Sequence, residues 1–268
     1  MKVYFLIQGQ FGNNLFQYFA AEIIKKMYNY DSVCPTFQIN LDNTVINDDT
    51  FKTIVTAYEL GFIPPLDTTK DILMMGFFQR SEIFRMEKEY VKSLFTLENT
   101  NHISNRITIC NILKYKSQHA HVPKDGDLTL HLRCGDFWHH ENNTSEIFHP
   151  DALKAIIRDI PHDKLYIVYN TAEQQWEKEY YDQFADLNPI WINGKLGDDF
   201  DFLMKSPQLI TSSSTMCYMA ALLGSAHMIH IPYNYFHGGQ EGSGQHLAEF
   251  DERCKVYYSV DTYLPCTF

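Results

Sequence analysis

The sequence predicts an α/β protein of two lobes. Three observations carry that expectation. The chain has 268 residues, long for one domain at roughly 150 residues each. It opens with an apolar run, a glycine turn and a helix-period stripe. From about residue 126 onward, short apolar runs alternate with helical patterns, which argues for a parallel sheet covered by helices on both faces.

Taken in order, Val3 to Ile7 is continuously apolar, as a strand buried on both faces requires, and Gly9 and Gly12 break it. Leu15, Phe16, Phe19, Ala20, Ile23, Ile24 and Met27 then recur in steps of three and four, one stripe laid against a sheet. Residues 30 to 120 are interrupted by Pro35, Pro64, Pro65 and Asp/Asn/Thr clusters, which predicts short helices and loops. Strands are expected at Leu128–Leu132, Leu165–Tyr169, Pro189–Ile192, Leu209–Thr211, Met228–Ile231 and Val256–Val260. Helices are expected at Asp151–Ile160, Ala172–Phe184, Thr215–Leu223 and Gln245–Arg253, the third ended by Gly224. The expected domains are therefore 1–124, an irregular α/β lobe, and 125–268, a Rossmann-like lobe.

Composition removes several functions. Apolar residues make up 45% and charged residues 21%, an ordinary globular mix. With 22 basic against 33 acidic residues the net charge is −11, which speaks against nucleic acid and anionic membranes as partners. Six cysteines, Cys34, Cys110, Cys134, Cys217, Cys254 and Cys266, form no Cys-x-x-Cys pair, so neither a zinc knuckle nor a disulfide framework is signalled. No stretch approaches the ~18 apolar residues of a membrane span, and the N-terminal run is short for a signal peptide. The expectation is a soluble, cytoplasmic protein.

Three segments can carry chemistry. Gly9-Gln10-Phe11-Gly12-Asn13-Asn14 joins a strand to a helix, where glycines admit a ligand to the backbone and the helix N-terminus favours phosphate. A plain βα turn fits the local sequence equally well. His131-Leu132-Arg133-Cys134-Gly135-Asp136 ends a strand, at the edge where open α/β sheets gather ligands. Arg133 suits bidentate phosphate binding, and Asp136 suits orienting it or accepting a proton. Thr211-Ser212-Ser213-Ser214-Thr215 precedes an apolar helix, with more hydroxyls than an N-cap needs. His139, His140 and His149 with Glu141 and Glu146 read as a solvated loop rather than a zinc site. Asp199-Phe200-Asp201 matches a short Asp-x-Asp metal pattern but also a helix start.

Together these segments resemble a known family. Gly9-Gln10-Phe11-Gly12-Asn13-Asn14-Leu15-Phe16-Gln17-Tyr18, Gly76-Phe77-Phe78-Gln79-Arg80-Ser81, His131 to Phe137 and Ser213 to Ala221 are similar, in order, to the motifs of the family 11 glycosyltransferases, α-1,2-fucosyltransferases within the O-fucosyltransferase superfamily. The resemblance implies a GT-B-like fold of two Rossmann-like lobes with the donor site in the inter-lobe cleft. It implies inverting transfer of L-fucose from GDP-fucose to a glycan hydroxyl, with no metal and no cofactor beyond the GDP-sugar. By that carry-over Arg133 holds the diphosphate and Asp136 is nominated as base. His131, Ser213, Ser214 and Thr215 contact the donor, Gly12 and Asn13 line the cleft, and Asp199 or Asp201 reaches the guanine edge. Departures stand beside it: Gln10 and Cys134 occupy family arginine positions, and Tyr218-Met219 replaces Trp-Trp. Two alternatives stay open, a transferase of another nucleotide sugar using a metal through Asp199 and Asp201, and a non-catalytic nucleotide- or carbohydrate-binding protein.

Overall fold

The computed structural model describes residues 1–39, 42–95, 121–135, 138–139, 144–233, 249–258 and 260–263. The chain divides into two compact units: Met1–Lys114 with Gly239–Phe250, and Tyr115–Gly238 with Asp251–Phe268.

The first unit holds a four-stranded sheet of order β2-β1-β4-β3, every ladder parallel. β1 (Lys2–Leu6) alternates its burial and seals Val3 and Phe5 completely. α1 (Phe11–Tyr28) lays its apolar stripe on the sheet, with Leu15, Phe16, Ile23 and Ile24 fully buried. It stops at Asn29, whose left-handed backbone (φ 58°) lets its N–H return to the Lys25 carbonyl, the helix-ending geometry that asparagine tolerates.

Where the sequence suggested loops and short helices, the structure adds strands β2 (Ser32–Thr36), β3 (Thr44–Asn47) and β4 (Ile72–Met75) and helices α2 (Asp48–Glu59), α3 (Ser81–Met86) and α4 (Lys88–Leu94). The reason these strands are hard to read is positional. β2 and β3 are the two edges. An edge tolerates Pro35 inside β2, since a lost ladder donor there costs little, and β3 buries only Ile46. The central strand β4, Ile-Leu-Met-Met, is the segment whose apolar run stands out in the sequence. Asn47 starts α2 by accepting the Thr50 N–H at 2.8 Å, an ordinary N-cap.

The second unit is built on a six-stranded, all-parallel sheet of order β12-β11-β10-β5-β8-β9. The chain starts at the centre with β5 (Leu128–Leu132) and passes the short hairpin β6 (Trp138–His139) and β7 (Thr144–Ser145). It then lays down α5 (Pro150–Asp159), β8 (Leu165–Tyr169), α6 (Gln175–Asp182) and β9 (Ile190–Ile192) to one side. It crosses through α7 (Leu196–Lys205) and continues with β10 (Gln208–Ile210), α8 (Thr215–Leu223), β11 (Met228–Pro232) and β12 (Cys254–Tyr257) on the other. This is the doubly wound order, and its direction of winding reverses between β5 and β10.

Strand β5 is wholly buried. Leu128, Leu130 and Leu132 enter a core with Leu153, Ile157, Tyr180, Phe184 and Ile210, while Thr129 and His131, one residue out of phase, face the other side of the sheet. α7 is an addition to the sequence reading.

The expected helix over 245–253 is corrected in its described part: residues 249–253 are non-helical. The Asp251 carboxylate accepts the Arg253 N–H and its guanidinium. Arg253 in turn donates to the carbonyls of Ala221, Leu222, Gly224 and Ala226. Arg253 thus closes the C-terminal end of α8, a favourable place for a cation, and that use of the side chain requires a turn.

Candidate functional site

In a doubly wound sheet the crevice opens at the carboxyl ends of the two strands that flank the reversal. In the second unit these are β5 and β10, and both expected motifs of this unit sit there. His131 is the penultimate residue of β5 and Arg133 follows its end. The hydroxyl run Thr211–Thr215 leaves β10 and opens α8. The register pairs Ile210 with Leu130, so the next step brings the start of the run level with His131.

The contact is direct. His131 Nδ1 lies 2.6 Å from Ser212 Oγ, although 81 residues separate them. Ser212 Oγ also accepts the Ser214 N–H at 3.2 Å. His131 is buried at 4% exposure. Burial first, and the Arg133 charge second, hold its pKa down to about 3, so the imidazole is neutral. Arg133 itself is half-buried.

The five hydroxyls divide their tasks. Thr211 Oγ1 donates to the His230 carbonyl and Ser213 Oγ to the Glu146 carbonyl at 2.5 Å. Ser214 is the N-cap of α8, yet its side chain makes no capping bond, and the first turn contains no acidic residue. Ser214 and Thr215 therefore stand at a helix N-terminus with no carboxylate in its own first turn, where the dipole favours negative charge.

Cys134 turns the other way, into the core. Its thiol is pushed up to about 12, chiefly by burial, so it is no nucleophile at neutral pH. The backbone N–H of Cys134 and the Tyr181 hydroxyl both donate to Asn170 Oδ1, which ties the loop after β5 to the end of β8.

Asp199 and Asp201 lie in α7, the helix that leads from the edge strand β9 back to β10. Asp201 pairs with Lys205 at 2.6 Å. Among the described residues no group of three or more His, Cys, Asp or Glu has metal-binding geometry. His149 caps α5 by accepting the Asp151 N–H. Asp136, His140 and Glu141 lie outside the described residues, as do Cys110 and Cys266; the four described cysteines form no disulfide with one another. Among the described residues no helix is long and apolar enough to cross a membrane.

In the first unit β1 and β4 are neighbours in the sheet, and the other two motifs follow their carboxyl ends. Asn13 Oδ1 accepts from Gln79 Nε2 at 2.9 Å. Asn14 donates to the Gln8 carbonyl and to Gln17 Oε1, and Gln17 Nε2 donates to the Gly76 carbonyl. Asp48 accepts the N–H groups of Phe77 and Phe78. Two glycines are required by this packing. Gly9 has φ +69°, and a Cβ there would fall 2.3 Å from Asn13 Nδ2; one on Gly76 would fall 2.5 Å from Asp48 Oδ2. Gly12 is buried in the first turn of α1.

Ser212, Asn170 and Gln17 are the participants that sequence reasoning did not single out as contacts. For Ser212 the signal was present, a run with a surplus of hydroxyls, but nothing in it says which one faces β5.

No family model matches the chain, and no curated protein matches it in sequence. Solved structures similar in fold include the following three. A mutant of Arabidopsis thaliana FUT1 in complex with GDP is 9% identical, with a TM-score of 0.45 over 87% of this chain and 70% of that one. The E. coli heptosyltransferase WaaC with ADP-2-deoxy-2-fluoro heptose is 8% identical, at 0.40 over 96% and 93%. The E. coli ADP-heptose lps heptosyltransferase II is 8% identical, at 0.39 over 97% and 93%.

Proposed function

We propose that this chain is an inverting glycosyltransferase of the GT-B kind, transferring L-fucose from GDP-fucose to a hydroxyl of a glycan. The observation that carries the reading is the convergence of Arg133, His131 and the Ser212–Thr215 run on the β5/β10 crevice, joined by the 2.6 Å contact between His131 and Ser212. A cation, a neutral imidazole, hydroxyls and a helix N-terminus with no acid in its first turn suit a diphosphate. The four motifs similar to the fucosyltransferase family supply the sugar and the base; the crevice supplies the reason for a diphosphate.

The chemistry follows from charge. Breaking the bond between the anomeric carbon and the donor oxygen builds negative charge on the leaving diphosphate. A guanidinium fixed beside it stabilises that charge more in the transition state than in the bound donor, which is what lowers a barrier. Arg133 has this role, with Ser214 and Thr215 on the phosphate oxygens. Asp199 or Asp201 is assigned to the base and Asp136 to the acceptor proton.

Titration with GDP and GDP-fucose followed by thermal shift tests the reading. At 100 times its dissociation constant a ligand adds about 2.7 kcal/mol to stability, a shift of several degrees. Arg133→Ala is expected to lose that shift and to reduce transfer by about 100-fold or more, while its ligand-free melting temperature stays near wild type. A variant that turns over normally removes Arg133 from the mechanism.

A further inference from the structure

Within the proposed donor site, and resting on that reading for its ligand, one residue has a role that neither the motifs nor the resemblance assigns. We infer that Ser212 is a positioning residue that fixes the tautomer of His131, placing the ring proton on Nε2 and so presenting Nε2–H as a hydrogen-bond donor to a phosphate oxygen in the β5/β10 crevice.

Hydrogen-bond bookkeeping around one oxygen leads there. Ser212 Oγ receives the Ser214 N–H. A hydroxyl has one proton to give and two lone pairs. Among the described residues the acceptor within reach of that proton is His131 Nδ1, at 2.6 Å, a short distance even for a hydroxyl donor. If Nδ1 carried the proton instead, two N–H groups would converge on Oγ and the hydroxyl proton would be left without an acceptor among the described residues. The satisfied arrangement is a relay in one direction: Ser214 N–H to Ser212 Oγ, Ser212 O–H to His131 Nδ1. The ring is neutral, for the reasons of burial and the neighbouring Arg133 charge already given, so its single proton stands on Nε2.

Two consequences separate this from simple packing. First, His131 cannot serve as a general base through Nε2, because that nitrogen is already protonated; its chemistry toward a ligand is donation. Second, the α8 N-terminus and the end of β5 are mechanically joined through Ser212. Ser214 and Thr215 on one side and His131 and Arg133 on the other therefore keep one spacing.

The test is the imidazole 15N spectrum of the ligand-free full chain at neutral pH, with the His131 signals assigned by their loss in His131→Asn. The expected pattern is a pyrrole-type Nε2 and a pyridine-type Nδ1 shifted by a strong hydrogen bond. In Ser212→Ala that Nδ1 shift is lost and the tautomers mix, and in Ser212→Thr the wild-type pattern returns. A pyrrole-type Nδ1 in the wild type overturns the inference, and so does an unchanged imidazole spectrum in Ser212→Ala. If a variant does not fold, the wild-type spectrum alone decides between the tautomers. A GDP titration supplies the ligand arm: Ser212→Ala is expected to weaken GDP about ten-fold, the scale of one hydrogen bond to a charged group, and Ser212→Thr to restore it. Equal GDP affinity in wild type and Ser212→Ala overturns the presentation of Nε2–H to phosphate. Absence of any GDP binding by the wild type fails the donor-site reading instead, while the spectrum still judges the tautomer.

Discussion

The two sheets of this protein solve the same topological problem and finish it differently. Each pairs its first strand with a later one, β1 with β4 in one unit and β5 with β10 in the other, and each places two sequence motifs at the carboxyl ends of that pair. In the first unit amide and carboxylate side chains there bond one another and the backbone. Asn13 meets Gln79, Asn14 and Gln17 close on Gln8 and Gly76, and Asp48 caps two backbone N–H groups. In the second, a buried neutral imidazole meets the hydroxyl run beside the strand-end Arg133, and α8, like α1, begins without an acid in its first turn. An amide network holds the first edge; a histidine–hydroxyl contact holds the second. Motif similarity alone does not separate these cases, because both pairs of motifs belong to the same family pattern.

The largest effect expected from this contrast is the one already given for Arg133→Ala, a loss of turnover by about two orders of magnitude or more with stability retained. Its counterpart in the first unit is Gly76→Ala. The new methyl would fall 2.5 Å from Asp48 Oδ2 and 2.8 Å from Oδ1, so the carboxylate must leave the N–H groups of Phe77 and Phe78. Losing two charge-assisted bonds of about 1.5 kcal/mol each gives an expected destabilisation of about 3 kcal/mol in urea unfolding. A Gly76→Ala protein as stable as wild type would mean that the Asp48 contact is not holding this loop, and the distinction between the two edges would weaken.

Acid gives a further handle on the second unit. His131 and His230 both belong to the second unit, and burial holds their pKa values down from 6.5 to about 3 and about 4, with Arg133 and Lys255 as the lesser causes. The unfolded chain binds both protons below pH 6.5 and the native chain does not, so the native state is favoured fully above 6.5 and progressively less as pH falls toward 4. Two protons correspond to about 2.7 kcal/mol per pH unit at the steepest. Residues 1–95 contain no histidine. Urea midpoints at pH 7, 6 and 5 are expected to fall, and the fall is expected to shrink in His131→Asn. Equal pH dependence in the variant would show that His131 is protonated in the native state.

Much of this organisation is legible in the residue order. β5 and β8 occupy the runs Leu128–Leu132 and Leu165–Tyr169, and α8 occupies Thr215–Leu223, because central strands and buried helices are mostly apolar and end at glycine or polar residues. Edge strands leave a weaker trace: β3 buries one side chain of four. Arg253 looked like a helix residue because its alternative use, closing the end of α8 through carbonyls about 30 positions earlier, depends on where β11 and β12 fall in the sheet. The same holds for the site. Arg133 is legible as a strand-end cation. The bond from His131 to Ser212 is not, because it exists only if β10 crosses back to lie beside β5, and strand order is a property of packing rather than of any local pattern.

The smallest effect concerns Asn13, which the family resemblance assigns to the donor and the structure places against Gln79. A double-mutant cycle of Asn13→Ala and Gln79→Ala measures what that amide pair is worth. One half-buried neutral hydrogen bond contributes about 1 kcal/mol, so the two single variants are each expected to lose about that much, and the double variant hardly more than either, giving a coupling near 1 kcal/mol. The logic is that removing either partner breaks the same bond, while residues that act independently add. If the coupling is near zero and Asn13→Ala instead weakens GDP, then Asn13 faces the ligand and the first unit's edge is as open to chemistry as the second's. The contrast drawn between the two sheet edges would then fail at the residue where the two readings disagree.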